Sequence, residues 1–307
     1  MRTFDASEIE RLLGWDAAYA SQELAFRNLA DGIADQPARL ILPSQAEGEA
    51  TGFCYAARLG PGHGMVCKFG GVAEHNPAAG LPAVHALVAA LDAHTGAPTA
   101  LLDGEALTVR RTAAASLLAA RHLAPKAARL GIIGAGVQAR GHLEALRSRY
   151  DFRWVVGWSR RPQRCAELGE GVLVAPSAED VAKNCDLIIL ATTSKEPVLR
   201  GSWITAGTTV ISVGSFSADR CEVDDELVDR ANLLVVDHPP IALEHAGPLV
   251  RAVADGRRRP ANLVALGDVV AGRHPGRSHT DQIVYYNSVG VGVQDAAAAW
   301  AVIEAAR

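Results

Sequence analysis

Apolar and polar residues follow different rhythms in two successive regions of the chain. Near the N-terminus, apolar residues recur at helical spacing after Asp5 and Ser7, which predicts a helix capped by one of these side chains. Short apolar runs separated by Gly, Pro and Asp then predict strands of a mostly antiparallel sheet, namely ARLILPS, ATGFCYAARL, GMVCKFGG, HALVAALDA and PTALLDG. The segment TVRRTAAASLLAARHLA predicts a helix that begins near Thr108 or Thr112 and ends before Pro125.

After Pro125, predicted strands alternate with predicted helices. The strands are ARLGIIGAG, FRWVVGWS, GVLVA, DLIILAT, TTVISVG and NLLVVD, and the helices are VQARGHLEALRSR, SAEDVAKN and DDELVDRA. Such alternation implies right-handed crossovers and a parallel sheet with helices on both faces, so the fold class is α/β. A glycine-rich turn and an alanine-rich helix end the chain.

Composition narrows the function classes. The 307 residues are 49% hydrophobic and 21% charged, which is ordinary for a globular protein of one or two domains. A net charge of −4 provides no basic field for nucleic acid. Five scattered cysteines without C-x-x-C spacing favour a reducing cytoplasm and predict no metal site. The acidic N-terminus argues against a signal peptide, and the longest uncharged stretch, 75–91, is too short and polar for a membrane span.

A glycine loop follows the first strand of the second region. In GIIGAGVQAR, Gly134, Gly136 and Ala139 have the G-x-G-x-x-G/A spacing between a predicted strand and a predicted helix. The first glycine permits the tight turn, the second lets the backbone approach a pyrophosphate, and the small third residue lets the helix pack closely. The loop predicts a dinucleotide site, and the predicted contacts are Gly134, Gly136, Val137, Gln138, Ala139, Val213 and Gly214.

The next strand bears on which dinucleotide binds. It ends in Ser159, Arg160 and Arg161, where an NAD site usually has an acidic residue for the ribose 2′-hydroxyl. Guanidinium groups suit a 2′-phosphate, with hydrogen bonds of roughly 1.5–3 kcal/mol each. We predict that the cofactor is NADP(H), with NAD(H) as the alternative. The other interpretation of Arg160 and Arg161 is that they lie in a solvated loop and bind no cofactor. For Thr192 and Thr193, after the strand DLIILA, cofactor contact and a helix cap or turn both stay open.

Three cations in the first region are candidates for substrate binding. They are Arg39 in PARLILP, Lys68 in VCKFG and Arg111 in VRRTAAAS. The chain has four lysines among its 30 basic residues, and a buried ammonium can have a shifted pKa and donate a proton, which arginine cannot. Arg111, predicted in the first turn of a helix, favours a bound anion there, although pairing with surface acids is the other interpretation. His85 in LPAVHALV is a second candidate proton donor or a structural histidine.

Together these motifs resemble the ornithine cyclodeaminase and mu-crystallin family. The resemblance is carried, in the family's order, by PARLILP, VCKFGGVAEHNPAAGLPAV, DGEALTVRRTAAAS, GIIGAGVQA, SVGSFSADRCEVDDELV and NSVGVGVQDAAAA. It implies a homodimer in which residues 1–124 and 285–307 form an α+β dimerisation and substrate domain. The inserted Rossmann domain would then be 125–284. It also implies that Arg39, Lys68 and Arg111 hold and act on the carboxylate and the amino or imino group of a small-molecule substrate.

One departure from the family bears on the reaction. Cyclodeaminases and the related alanine dehydrogenases have a catalytic Asp two residues after the strand-end glycine, and here Phe216 stands at that position after Gly214. A phenyl ring cannot accept a proton, which argues against cyclodeamination and oxidative deamination. The segments GSFSADRCEVD and WSRR are similar to the ketimine reductase branch. We therefore predict NADPH-dependent reduction of Δ1-pyrroline-2-carboxylate or Δ1-piperideine-2-carboxylate to L-proline or L-pipecolate.

Two other functions stay open. One is an ornithine cyclodeaminase, a lyase that recycles NAD while it converts ornithine to proline and ammonia. The other is a crystallin-like protein that binds NADPH and a small ligand without turnover; the complete set of Arg39, Lys68 and Arg111 argues against it. A second departure, Asn287 where many members have lysine, leads to no prediction.

Overall fold

The computed structural model describes residues 1–73 and 75–307. The chain divides into two compact units: unit 1 contains Met1–Arg111 and Val291–Arg307, and unit 2 contains Thr112–Gly290. None of the helices in the described part of the chain combines the length and the apolar character that a membrane crossing requires.

Unit 1 is built on a sheet whose strand order, among the described residues, is β1-β6-β5-β4-β3-β2. Its elements are β1 (Arg2–Phe4), α1 (Ala6–Leu12), α2 (Trp15–Ala30), β2 (Leu40–Leu42), β3 (Thr51–Ala57), β4 (Val66–Val72), β5 (Val84–Leu91), β6 (Pro98–Asp103), the start of α3 (Gly104–Leu123) and the C-terminal helix α11 (Gly292–Ala305). Pairing is antiparallel from β2 to β6, as predicted, and β1 is parallel to β6. Of the two predicted caps, Asp5 and Ser7, the N-cap of α1 is Asp5, which forms a capping box with Glu8.

One face of this sheet is buried. Tyr55 of β3, Lys68 of β4, Val88 of β5 and Leu102 of β6 are direct cross-strand partners, so their side chains lie on the same face in one row. Helix α11 packs against β3, β4 and β5. Val88 and Leu102 are fully buried and Lys68 is 3% exposed, so the lysine lies in the core of the unit with apolar side chains beside it in the row.

Unit 2 is a parallel sheet flanked by helices. Its elements are β7 (Arg129–Ile133), α4 (Val137–Arg147), β8 (Trp154–Trp158), α5 (Pro162–Ala166), β9 (Val172–Val174), α6 (Ala178–Asn184), β10 (Leu187–Leu190), β11 (Thr209–Ser212), α7 (Asp225–Arg230), β12 (Leu233–Val236), α8 (Pro239–His245), α9 (Gly247–Ala254), β13 (Leu263–Ala265), α10 (Leu266–Val270) and β14 (Val284–Asn287). The strand order is β13-β12-β14-β11-β10-β7-β8-β9, with parallel pairing throughout. The predicted α/β class with a Rossmann-like parallel sheet is confirmed.

The start of α3 differs from the prediction. The helix begins at Gly104 and not near Thr108 or Thr112, because Asp103 Oδ1 accepts hydrogen bonds from two N–H groups of the first turn. Arg111 therefore lies about two turns inside the helix and not, as predicted, in its first turn, so its charge does not oppose the helix dipole there.

The unit boundaries also differ from the expected ones. Strand β14 lies between β11 and β12 and belongs to unit 2, although residues 285–307 were expected in the other domain. The second half of α3 also belongs to unit 2: Ser116 Oγ is 2.9 Å from His142 Nε2, and the carbonyl of Leu123 accepts a hydrogen bond from Arg277.

Candidate active site

Unit 1 buries a charged cluster beneath helix α11. Lys68 Nζ lies 2.9 Å from Asp295 Oδ1, and Arg111 Nε lies 3.0 Å from the same oxygen. The exposed fractions of the three side chains are 4%, 6% and 1% for Lys68, Arg111 and Asp295. Lys68 Nζ also donates to Thr108 Oγ1 at 3.3 Å. One carboxylate oxygen thus joins β4, α3 and α11.

The third predicted cation lies in the same cluster. Arg39 precedes β2, and its Cζ is 4.9 Å from the ring centroid of Tyr55; Lys68 Nζ is 5.2 Å from that centroid. Three cations and one carboxylate give a net charge of +2 when all four groups are ionised. Such a cluster is complementary to the carboxylate of a small substrate.

Burial and neighbouring charges set the protonation of this cluster. Burial lowers the pKa of Lys68 to about 8, against the attraction of Asp295 and with the repulsion of Arg111 and Arg39. For Asp295, burial alone would raise the pKa, but Arg111 and Lys68 hold it below its usual value. Asp295 also lies in the first turn of α11, where the helix dipole favours an anion. Lys68 is thus a cation at neutral pH whose proton is easier to remove than that of an ordinary lysine.

His85 does not join the cluster in unit 1. It is the cross-strand partner of Gly71, three residues after Lys68, so its side chain lies on the opposite face of the sheet. The ring is 57% exposed, and Nδ1 is 2.9 Å from Glu105 Oε1. This geometry corrects the prediction of His85 as an alternative proton donor beside Lys68.

The glycine loop of unit 2 fits a dinucleotide. Gly134 has a φ of +115°, and a Cβ there would lie 2.3 Å from the carbonyl oxygen of Ala191, so only glycine suits this turn. Gly136 is the N-cap of α4, and a Cβ on it would meet nothing within 4 Å. Open space before a helix N-terminus, at the carboxyl edge of a parallel sheet, suits a pyrophosphate. Val137 is exposed, the Gln138 carbonyl oxygen is 2.7 Å from His142 Nδ1, and Ala139 is buried.

Ser159, Arg160 and Arg161 lie at the same edge of the sheet. Strand β8 pairs with β7 in register, and the N–H of Gly134 donates to the carbonyl of Trp158. Ser159 Oγ donates to the carbonyl of Arg161 at 2.7 Å, and both arginines are exposed. They are therefore available to a ligand at this edge.

A buried glutamate that the sequence analysis did not identify organises the neighbouring strand ends. Glu222 accepts four hydrogen bonds: from Thr192 N and Oγ1 at 2.6 and 2.8 Å, from Ser212 Oγ at 2.6 Å and from Gly214 N at 2.7 Å. Burial raises its pKa, although these bonds act in the opposite direction. Gly214 is required here because a Cβ would lie 2.1 Å from the carbonyl oxygen of Thr192. Thr192 thus acts as a donor to Glu222 at the end of β10.

The remaining predicted positions also lie in unit 2. The N–H of Val213 donates to the carbonyl of Leu190, and the carbonyl of Thr193 accepts from Arg220 Nη1. The Arg220 guanidinium stacks 4.8 Å from the ring centroid of Phe216.

Asn287 is fully buried and polar on both sides. It accepts from Tyr285 Oη at 2.8 Å and donates to the carbonyl of Ser215 at 3.0 Å. A lysine side chain has no acceptor and could not take the hydrogen bond that Tyr285 Oη donates, so the asparagine suits these two partners.

Comparison with known proteins places these features in context. The family model described as "Ornithine cyclodeaminase/mu-crystallin family" matches residues 2–307. A relative named Delta(1)-pyrroline-2-carboxylate reductase 2, from Burkholderia ambifaria, is 35% identical, and the alignment covers 88% of this chain and 86% of the relative.

Solved structures match over the full length of the chain. One is described as Thermococcus litoralis Delta(1)-pyrroline-2-carboxylate reductase in complex with NADH and L-proline; it has a TM-score of 0.94 and 32% identity, and covers 100% of this chain and 97% of that one. Another is described as an archaeal alanine dehydrogenase dimer with bound NAD; it has a TM-score of 0.92 and 31% identity, and covers 100% and 96%.

The Glu222 network generates a stability prediction. Glu222→Ala removes the acceptor of four donors, and because each buried unsatisfied donor costs roughly 1–3 kcal/mol, we expect the free energy of unfolding to fall by at least about 3 kcal/mol. Denaturant unfolding measures this loss. The exposed Glu244→Ala is the matched control and should change stability by less than about 0.5 kcal/mol. Equal stability of the two variants would contradict the assigned role.

Proposed function

Because the chain belongs to the ornithine cyclodeaminase/mu-crystallin family, we propose that it reduces a cyclic imino acid to a cyclic amino acid. The substrate is Δ1-pyrroline-2-carboxylate or Δ1-piperideine-2-carboxylate, the product is L-proline or L-pipecolate, and the electron donor is a nicotinamide dinucleotide. The observation that carries this proposal is the buried, net positive cluster around Lys68. The names of the Burkholderia ambifaria and Thermococcus litoralis proteins support the substrate class.

The residues of unit 1 supply binding and a proton in this reaction. Arg39 and Arg111 hold the substrate carboxylate, and the fixed charges orient the imine without reorganisation during the reaction. Reduction adds a hydride to the imine carbon and a proton to its nitrogen. Lys68 donates that proton and is reprotonated from solvent. A nicotinamide dinucleotide bound at the glycine loop would supply the hydride.

Phe216 supports reduction over deamination. A cyclodeaminase or an amino acid dehydrogenase needs a base for the amino acid, and the aromatic ring at this position stacks with Arg220 instead of offering a carboxylate. Because the structure is also similar to an alanine dehydrogenase, alanine dehydrogenation is the second candidate activity to be assayed.

The proposed activity depends on Lys68. Oxidation of NADPH and NADH should be observed with five- or six-membered cyclic imines, and Lys68→Met should lower kcat/KM by at least about 100-fold, because the variant keeps the apolar stem but loses the proton donor. Lys195→Met, at an exposed position, is the control and should retain activity.

Other substrates distinguish the alternatives in the same assay. Release of ammonia from ornithine with NAD alone would identify a cyclodeaminase, and turnover of pyruvate with ammonia would identify an alanine dehydrogenase. Failure to oxidise either nucleotide with any imine, despite tight NADPH binding, would favour a binding protein and contradict the proposal.

We propose NADP(H) as the preferred cofactor because Arg160 and Arg161 are exposed at the carboxyl end of β8, where a 2′-phosphate would be held. Arg160→Ala should raise the KM for NADPH by about 10-fold or more and change the KM for NADH less than about twofold. Arg164→Ala removes an exposed guanidinium from the adjacent helix and should affect neither. Equal changes for both nucleotides would show that Arg160 does not recognise the 2′-phosphate.

The exposed face of the unit 1 sheet supports a homodimer. Leu40, Cys54, Phe69 and Leu87 form a cross-strand row on this face, and Phe69 and Leu87 are each 42% exposed. Apolar surface of this kind marks an interaction site. We propose that a second copy of the chain covers it, in keeping with the dimeric alanine dehydrogenase structure.

This interface can be tested by oligomeric state. Phe69→Glu should convert the dimer to a monomer in light scattering coupled to size-exclusion chromatography, because a buried unpaired carboxylate opposes association. Leu173→Glu, at a 59% exposed apolar position of unit 2, should leave the dimer intact. A wild-type monomer, or a dimeric Phe69→Glu variant, would exclude this face as the interface.

A further inference from the structure

Lys68 and Arg111 depend on a residue from the C-terminal end of the chain. Both ion pairs of the cluster use Asp295 Oδ1, while Asp295 Oδ2 is buried and accepts no hydrogen bond among the described residues. The carboxylate is therefore held by one oxygen. Asp295 lies 227 residues from Lys68 in sequence, so only the folded unit 1 brings them together.

The charges around Lys68 explain what Asp295 contributes. Arg111 on α3 and Arg39 before β2 both repel the ammonium, and Tyr55 of β3 presents its ring to it. Among the described residues, Asp295 on α11 attracts it. Without the carboxylate, buried Lys68 and Arg111 and half-buried Arg39 would lie together with no anion between them, and the lysine, unlike the arginines, could relieve the repulsion by losing its proton.

We propose that Asp295 is a positioning residue for the reduction: it holds the Lys68 ammonium in place and keeps it protonated, without contacting the imino acid itself. This inference rests on the proposed function of Lys68 as proton donor. With one anion among three cations, the cluster retains the positive charge that a substrate carboxylate needs. Asp295 thus lets proton donation and anion binding occur in one buried site.

The variant Asp295→Asn tests the negative charge of residue 295 separately from the shape of its side chain. The amide oxygen can still accept from Lys68 Nζ and Arg111 Nε, and the amide nitrogen replaces Oδ2, which has no hydrogen-bond partner in the described structure. The substitution therefore removes the negative charge with little change in volume. Glu304→Gln removes a carboxylate from an exposed position of the same helix and is the matched control.

The pH dependence of reduction gives the first readout. Protonated Lys68 is the active form, so the rate should fall as pH rises through its pKa of about 8. Loss of the nearby negative charge lowers this pKa, so in Asp295→Asn the alkaline limb of kcat/KM should move to about pH 7 or below. The substrate titrates identically in both enzymes, so a displaced limb belongs to the protein. Glu304→Gln should keep the wild-type limb.

The pKa of Lys68 can also be measured without turnover. The chain has four lysines, so a sample labelled at lysine Cε has four resonances, which Lys126→Arg, Lys183→Arg and Lys195→Arg assign. The Lys68 resonance should titrate near pH 8 in the wild type and about one pH unit lower, or more, in Asp295→Asn.

The two readouts distinguish the possible failures. A wild type that reduces no imine, with a Lys68 resonance that still shifts in Asp295→Asn, would contradict the proposed function and leave the charge coupling standing. An unchanged Lys68 titration and an unchanged alkaline limb in Asp295→Asn would overturn the inference, even if the variant were less stable.

Discussion

Burial of two cations, Lys68 and Arg111, in the core is the constraint on which unit 1 depends. Lys68 and Arg111 would each be costly to remove from water alone, and Asp295 makes their burial possible by accepting from both through one oxygen. Helix α11 packs over strands β3, β4 and β5, and its first turn brings the carboxylate to this row of the sheet. The ion pairs of Asp295 therefore contribute both to the packing of the unit and to the charge of the site.

Unit 2 also contains a buried carboxylate, but the groups that stabilise it are different. Glu222 is also a fully buried carboxylate, but its partners are N–H and O–H groups at the ends of β10 and β11, and its pKa is raised where that of Asp295 is lowered. Donors without formal charge hold the loop around Gly214 in place but offset burial less than cations do. One carboxylate thus orders a loop, whereas the other tunes a neighbouring proton donor.

Local patterns were sufficient for much of the fold and for the glycine loop, since strand alternation and the tight turn at Gly134 are properties of adjacent residues. The face on which His85 lies was not predictable, because a shift of one residue in the register of β4 and β5 reverses it. The role of Asp295 was not predictable either, because it depends on a contact with Lys68, which lies 227 residues away in sequence. The sequence did contain a signal for Asp295: it is a single acidic residue in the alanine-rich segment QDAAAA, just as Lys68 is a single charged residue in an apolar stretch.

The presence of lysine at position 68 follows from these contacts. An arginine there would stay charged whatever surrounds it, and it would make the site a pure anion clamp. Lysine can respond to its neighbours: burial and two guanidinium groups make its proton easier to remove, and Asp295 limits that change so that the ammonium persists at neutral pH. Phe216 stands where the deaminating members of the family are expected to have a catalytic Asp, and its ring can neither donate nor accept a proton. Proton transfer in the proposed reaction then rests on Lys68, and its rate on the balance between one carboxylate and two arginines.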